Sequence, residues 1–187
     1  MRVRAVSLVG IVLSLLMVAA CGSTGSPPTG AAGSSPGGPA GSSPAGDAVV
    51  SAAPAPASFS APALAGGTFD GASLAGKPAL LWFWAPWCST CAGQAETVRG
   101  LADTYRGKVT VLGVAGMDKV PEMNEFVKLF KLQNMTHLAD EQGAVYRHFK
   151  VTQQSTYALI DASGKVLGRG PLDNADVTAR VKALAAG

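Results

Sequence analysis

Clustered charge is the first thing this chain lacks. Its 15 Lys and Arg and 12 Asp and Glu leave a formal charge of only +3, and the basic residues are scattered. Nucleic-acid binding needs a basic stripe or patch, so nucleic acid is excluded as a partner. Cysteine is scarce as well, at three residues, too few for the multi-bridge framework of a small disulfide scaffold. Two of the three, Cys88 and Cys91, form a single C-x-x-C that lacks the second ligand pair of a structural zinc site. His137 and His148 are the two histidines, and they are not spaced as a ligand pair, so no metal site is expected. The apolar stretch from Ala5 to Ala20 is shorter than the about 20 residues of a membrane-spanning helix.

What is present falls into three compositions. Residues 1–20 place Arg2 and Arg4 before an apolar run broken only by Ser7, Gly10 and Ser14, the pattern of an export signal. Val18-Ala19-Ala20-Cys21 resembles a bacterial lipobox, which implies a lipoprotein signal peptide and lipidation of Cys21. Lipidation would anchor the chain on the extracytoplasmic face of the cell membrane; an unused lipobox would leave it secreted. Residues 21–57 are built almost wholly of Gly, Ala, Ser, Pro and Thr, with Asp47 as the one charge. Such a segment cannot bury enough apolar surface to offset its ordering entropy, so a disordered tether is expected. A flexible chain of about 35 residues spans roughly 30–35 Å. Export also implies an oxidising compartment, where disulfides persist.

Residues 58–187 alternate strand and helix patterns. Leu80-Leu81-Trp82-Phe83-Trp84 is a continuous apolar run, as expected of a strand buried on both faces. Cys88 opens a helix running to Tyr105, with Ala95, Val98, Leu101 and Ala102 at helical spacing. A second buried strand covers Val109 to Ala115. A helix begins near Pro121, a residue favoured in the first turn, with Met123, Phe126, Val127 and Phe130 on its apolar side. His137-Leu138-Ala139 reads as a short strand and Gln142 to Phe149 as a short helix. Tyr157 to Asp161 and Lys165 to Gly168 flank a Gly-containing turn, a hairpin signal, with Asp161 capping the turn. Asp173 or Asn174 suits the N-cap of a last helix. Phe59 and Thr68-Phe69 suggest an added N-terminal β-hairpin. The expected fold class is α/β, a mixed central sheet flanked by helices.

Leu81-Trp82-Phe83-Trp84-Ala85-Pro86-Trp87-Cys88, the C-x-x-C, and Leu159-Ile160-Asp161 with Gly164 resemble the TlpA/ResA/DsbE branch of thioredoxin-fold proteins. Gly113 to Asp118, Met123, Phe126-Val127 and His137 to Asp140 resemble, more narrowly, the secreted DsbE/DsbF-type proteins of Gram-positive bacteria. The resemblance covers residues 58–187. It implies a thioredoxin-like fold and a thiol–disulfide oxidoreductase with Cys88 as exposed nucleophile, Cys91 as resolving thiol and Trp87 as an apolar platform for substrate. No cofactor is needed, since the electrons reside in the Cys88–Cys91 disulfide. Exported protein thiols and disulfides would be the partners, with a membrane redox partner recycling the pair.

The chemistry suits those positions. A thiolate is the attacking species, so the site must lower a thiol pKa near 8.5. A helix N-terminus does so with free N–H groups and the positive end of the dipole. Three positions depart from the family pattern. Trp82 replaces the buried acid of thioredoxins proper, and Gln94 replaces the Glu of ResA-like proteins. Ser155, after Gln154, stands where the family carries a cis-proline. A cis peptide before a non-proline residue costs about 2.5–4 kcal/mol, so a trans Gln154–Ser155 bond, or a strained cis one, is expected. Gln154 and Ser155 are therefore candidate tuning residues with Trp87 and Gln94. Two alternatives stay open on these departures: a non-catalytic binding module, and a metal-binding protein using the two thiolates.

Overall fold

The computed structural model describes residues 58–187. The signal peptide expected over 1–20, Cys21 and the tether expected over 21–57 lie outside the described residues. Short strands β1 (Ser60–Pro62) and β2 (Thr68–Asp70) pair antiparallel as the expected hairpin. There follow β3 (Ala79–Trp84), α1 (Ser89–Thr104), β4 (Thr110–Gly116), α2 (Val120–Leu129), β5 (Thr136–Asp140), α3 (Ala144–His148), β6 (Thr156–Ile160), β7 (Val166–Gly170) and α4 (Asn174–Leu184). The five-stranded sheet has the order β5-β4-β3-β6-β7. β3, β4 and β5 run parallel, while β6 is antiparallel to β3 and β7 antiparallel to β6. This is the mixed, thioredoxin-like architecture expected.

β3 sits at the centre because every residue of Ala-Leu-Leu-Trp-Phe-Trp is buried. Side chains alternate across a strand, so Leu80, Trp82 and Trp84 face one side and Ala79, Leu81 and Phe83 the other. The first side packs against α1, α2 and α4 through Ala95, Val98, Phe126, Val177 and Val181. The second packs against α3 and the hairpin through Val145, Tyr146, Phe149 and Ala61. The hairpin also covers the outer edge of the sheet: Ala63 bridges to Leu138, and the Leu64 N–H donates to the His137 carbonyl at 2.8 Å. Covering β5 in this way leaves fewer unpaired edge groups.

Two local features follow from single residues. A Cβ at Gly113 would lie 2.1 Å from His137 Nδ1, so β4 must carry glycine where the imidazole is buried against it. The short helix α3 begins two residues later than the sequence suggests. Gly143 takes φ 68°, and the Asp140 carboxylate accepts from the Val145 and Tyr146 N–H groups at 3.1 and 2.9 Å, fixing the start at Ala144. At the other end of the domain Asp173 caps α4, accepting from the Asp176 N–H at 2.7 Å.

Candidate active site

β3 delivers the chain through Ala85-Pro86-Trp87 to the N-terminus of α1, with Cys88 as N-cap. Its Sγ accepts from the Cys91 N–H at 3.1 Å, filling the role that a Ser or Asp oxygen fills in other helices. Both cysteines are unbridged and buried, Cys88 with 6 % and Cys91 with none of its surface exposed. The expectation of an exposed Cys88 is therefore corrected. Capping turns the sulfur inward over the helix end, and Ser155 covers it from the loop before β6, with Sγ and Oγ 3.0 Å apart. Access is along a groove between the active-site loop and α2, walled by Trp87, Ala92, Phe126 and Phe130.

The two thiols are driven apart in acidity. Burial works to raise Cys88, but hydrogen bonds from the Cys91 thiol, the Ser155 hydroxyl and the N–H groups of Cys91 and Thr90 outweigh it, and its pKa is lowered. Cys91 is pushed up to about 11, by burial first and then by its hydrogen bond with Cys88. Of the two thiols Cys88 is thus the more acidic and the one that gives up its proton first, the order that nucleophilic exchange requires.

Ser155 lies closer to the chemistry than a tolerated loop residue would. Its Oγ is 3.0 Å from Cys88 Sγ and 3.1 Å from Cys91 Sγ. Its φ is 58°, a left-handed conformation that proline, locked near −65°, cannot adopt. Gln154 is half-buried beside the serine.

The other two departures meet each other. Trp82 Nε1 donates to Gln94 Oε1 at 2.9 Å inside the core, with Trp82 stacked on Trp84 at 5.7 Å. A neutral donor–acceptor pair occupies the two positions at which the family resemblance leads one to expect an acid. The sequence presents these positions twelve residues apart, and only their complementary hydrogen-bonding types hint at the pairing. Glu96 is exposed and 4.0 Å from Arg99. Trp87 is 59 % exposed beside Cys88, its Nε1 donating to the Met117 carbonyl at 3.2 Å. Sequence reasoning missed the acidic rim that Asp118, Glu122 and Glu125 give the groove, and the exposed Leu129 at its edge.

His137 is a core residue: Nε2 lies 3.1 Å from the Leu132 carbonyl, and burial lowers its pKa to about 4. His148 packs its ring against Phe59 and Phe149. Among the described residues there is no group of three or more His, Cys, Asp or Glu able to hold a metal. A separate hollow lined by Leu159, Leu167, Arg180 and Leu184 lies between the β6–β7 hairpin and α4 and includes neither cysteine.

Residues 51–168 match the AhpC/TSA family, and the chain belongs to it. Its fold is thioredoxin-like, and its relatives are thiol–disulfide oxidoreductases of the DsbE/DsbF type. The soluble secreted antigen MPT53 of Mycobacterium tuberculosis is 40% identical over 106 residues, 57% of this chain and 60% of that protein. The chain therefore spans about 60% of the length of the curated relative it matches. The structure of MTB DsbF in mixed oxidised and reduced forms is 49% identical with a TM-score of 0.66, covering 70% of this chain and 98% of that one. A secreted M. tuberculosis disulfide oxidoreductase homologous to E. coli DsbE is 34% identical with a TM-score of 0.65, covering 71% and 100%.

Proposed function

We propose that this protein is an extracytoplasmic thiol–disulfide oxidoreductase that exchanges disulfides with exported proteins through Cys88 and Cys91. The observation that carries this reading is the placement of both thiols at one helix N-terminus, with Cys88 as N-cap accepting from the Cys91 N–H at 3.1 Å, an arrangement that leaves Cys88 the more acidic of the pair. In the reducing direction the Cys88 thiolate attacks a substrate disulfide, one substrate sulfur leaves, and a mixed disulfide forms. Cys91 then attacks Cys88 Sγ, closing the Cys88–Cys91 disulfide and releasing the second substrate sulfur as a thiol. Two electrons pass from the pair to the substrate, and the reverse sequence oxidises a substrate dithiol. Trp87, held against Met117 at the mouth of the groove, would seat the chain that carries the substrate cysteine.

The export signal read in residues 1–20 and the relatives described as secreted support an extracytoplasmic site. Lipidation of Cys21, with residues 21–57 as a tether, would hold the domain near the membrane, within reach of a membrane partner that resets the redox pair. The test is exchange with a disulfide-bonded peptide by wild type and by Cys88→Ser and Cys91→Ser. Turnover by wild type, none by C88S and accumulation of a trapped mixed disulfide in C91S are expected. Turnover by C88S at the wild-type rate would contradict the reading.

A further inference from the structure

We propose that the Ser155 hydroxyl is a catalytic proton carrier, taking the proton that Cys91 must lose during closure of the ring and passing its own to the departing substrate sulfur. This deepens the exchange reading above and rests on it. The difficulty it answers is geometric. Cys91 has no exposed surface, so its thiol proton cannot pass directly to bulk water. An ordinary solution is a carboxylate nearby, and both positions where one was expected are neutral and committed to each other through the Trp82–Gln94 hydrogen bond. Glu96 points into solvent beside Arg99. The Tyr146 hydroxyl donates to the Trp84 carbonyl at 3.1 Å. The Tyr157 hydroxyl is buried without a hydrogen-bond partner, so it bonds to neither sulfur. Ser155 Oγ remains, 3.1 Å from Cys91 Sγ and 3.0 Å from Cys88 Sγ, nearly equidistant and within reach of both.

A hydroxyl has one proton and two lone pairs, so it accepts from one sulfur while donating toward the other. In the mixed disulfide, Cys88 Sγ is bonded to the substrate sulfur and Cys91 is a thiol. Cys91 Sγ attacks Cys88 Sγ, and its proton moves to Ser155 Oγ. In-line attack sets the substrate sulfur on the far side of Cys88 Sγ, so the proton of the half-buried Ser155 hydroxyl reaches it through a solvent water as the Cys88–substrate bond breaks. The products are the Cys88–Cys91 disulfide, a neutral substrate thiol and an unchanged serine hydroxyl. Two electrons leave the cysteine pair for the substrate sulfur, and no alkoxide is formed. The reverse path protonates Cys91 as a leaving group when substrate opens the ring. The φ of 58° at Ser155 places the hydroxyl there against the ordinary preference of a side-chain-bearing residue, and such strain is found where surrounding structure holds a residue for a task.

The test uses the leaving group as the reporter. Reduced protein is mixed in stopped flow with glutathione disulfide, whose departing alkyl thiolate is basic and needs a proton. It is also mixed with 5,5′-dithiobis(2-nitrobenzoate), whose aryl thiolate is acidic and leaves without one. Release of the second thiol reports ring closure. Ser155→Ala and Ser155→Gly are expected to slow closure on the glutathione mixed disulfide about a hundredfold or more, the lower end of general acid–base effects, and closure on the aryl one less than about threefold. Ser155→Thr, which keeps a hydroxyl, should recover most of the loss. Glycine suits φ 58°, so S155G keeps the test available if S155A folds poorly. Equal slowing for both leaving groups, or slowing for neither, overturns the proposal. So does a leaving-group-dependent loss in Tyr157→Phe, a buried hydroxyl without a partner, with none in the Ser155 variants. Failure of wild type to release a second thiol from either reagent would instead mean that the exchange reading itself fails.

Discussion

The two ends of β6 are built on opposite terms. Where it turns into β7, local rules are obeyed. Asp161 Oδ1 accepts from the N–H groups of Ser163 and Lys165 at 2.9 and 3.0 Å, and Gly164 takes φ 85°, which costs glycine nothing sterically. Where β6 begins, Ser155 takes φ 58°, a conformation that costs a residue with a Cβ roughly 1–2 kcal/mol. Its hydroxyl faces two sulfurs instead of a backbone group. One end would serve any hairpin; the other is held in place by what it touches. Strain and chemistry coincide at one end of the strand and are absent from the other.

The comparison breaks most sharply on activity. Cys88→Ser, at the strained end, is expected to abolish exchange, whereas Asp161→Ala should leave the exchange rate unchanged and lower the melting temperature slightly. A large activity loss in D161A would mean that the hairpin is part of the site. The next effect is on stability, in the pair behind the sulfurs. Trp82→Phe leaves Gln94 Oε1 buried without its donor, which should cost about 1–3 kcal/mol in denaturant unfolding. Adding Gln94→Leu should recover part of that, because removing both partners avoids the orphaned group. A double variant no better than W82F would show that the pair contributes by packing alone.

A pH-dependent effect comes third. His137 is buried with its pKa lowered to about 4 from an ordinary 6.5. The unfolded chain therefore binds a proton that the folded one refuses between those values, and stability present above pH 6.5 is lost as pH falls toward 4. Cys91 acts with the same logic at the alkaline end. Its pKa is raised from 9.0 to about 11, so the reduced protein should lose stability as pH rises from 9 to 11. Melting curves across both windows check this, and in Cys91→Ala the alkaline slope should shrink. The smallest effect is at Ser155 itself. Ser155→Gly should change folding stability by no more than about 1 kcal/mol, since relief of strain offsets added backbone entropy. A much larger loss would mean that the serine holds the fold together and is not held by it.

Much of this was legible from the residues alone, for reasons that differ by element. β3 is written as a continuous apolar run because it is covered on both faces, and the Asp161 turn and the Asp173 cap are written in adjacent residues. The C-x-x-C was legible because its strand and helix flank it in the chain. The burial of Cys88 was not, since the cover comes from Ser155, 67 residues away. Nor was the Trp82–Gln94 bond, because each residue reads in isolation as a missing acid. The left-handed φ of Ser155 was hidden for a third reason. Serine carries no general signal for it, and the departure from proline showed that the loop differs without showing how.

The central claim, that Cys88 and Cys91 form one reversible redox pair, is tested most directly by trapping thiols across a series of glutathione poises. Wild type should pass from no free thiols to both in a single two-electron transition, with a tenfold change in equilibrium constant per about 30 mV, and Cys88→Ser should show none. Two separate one-thiol transitions, or no transition over the whole range, would contradict the account.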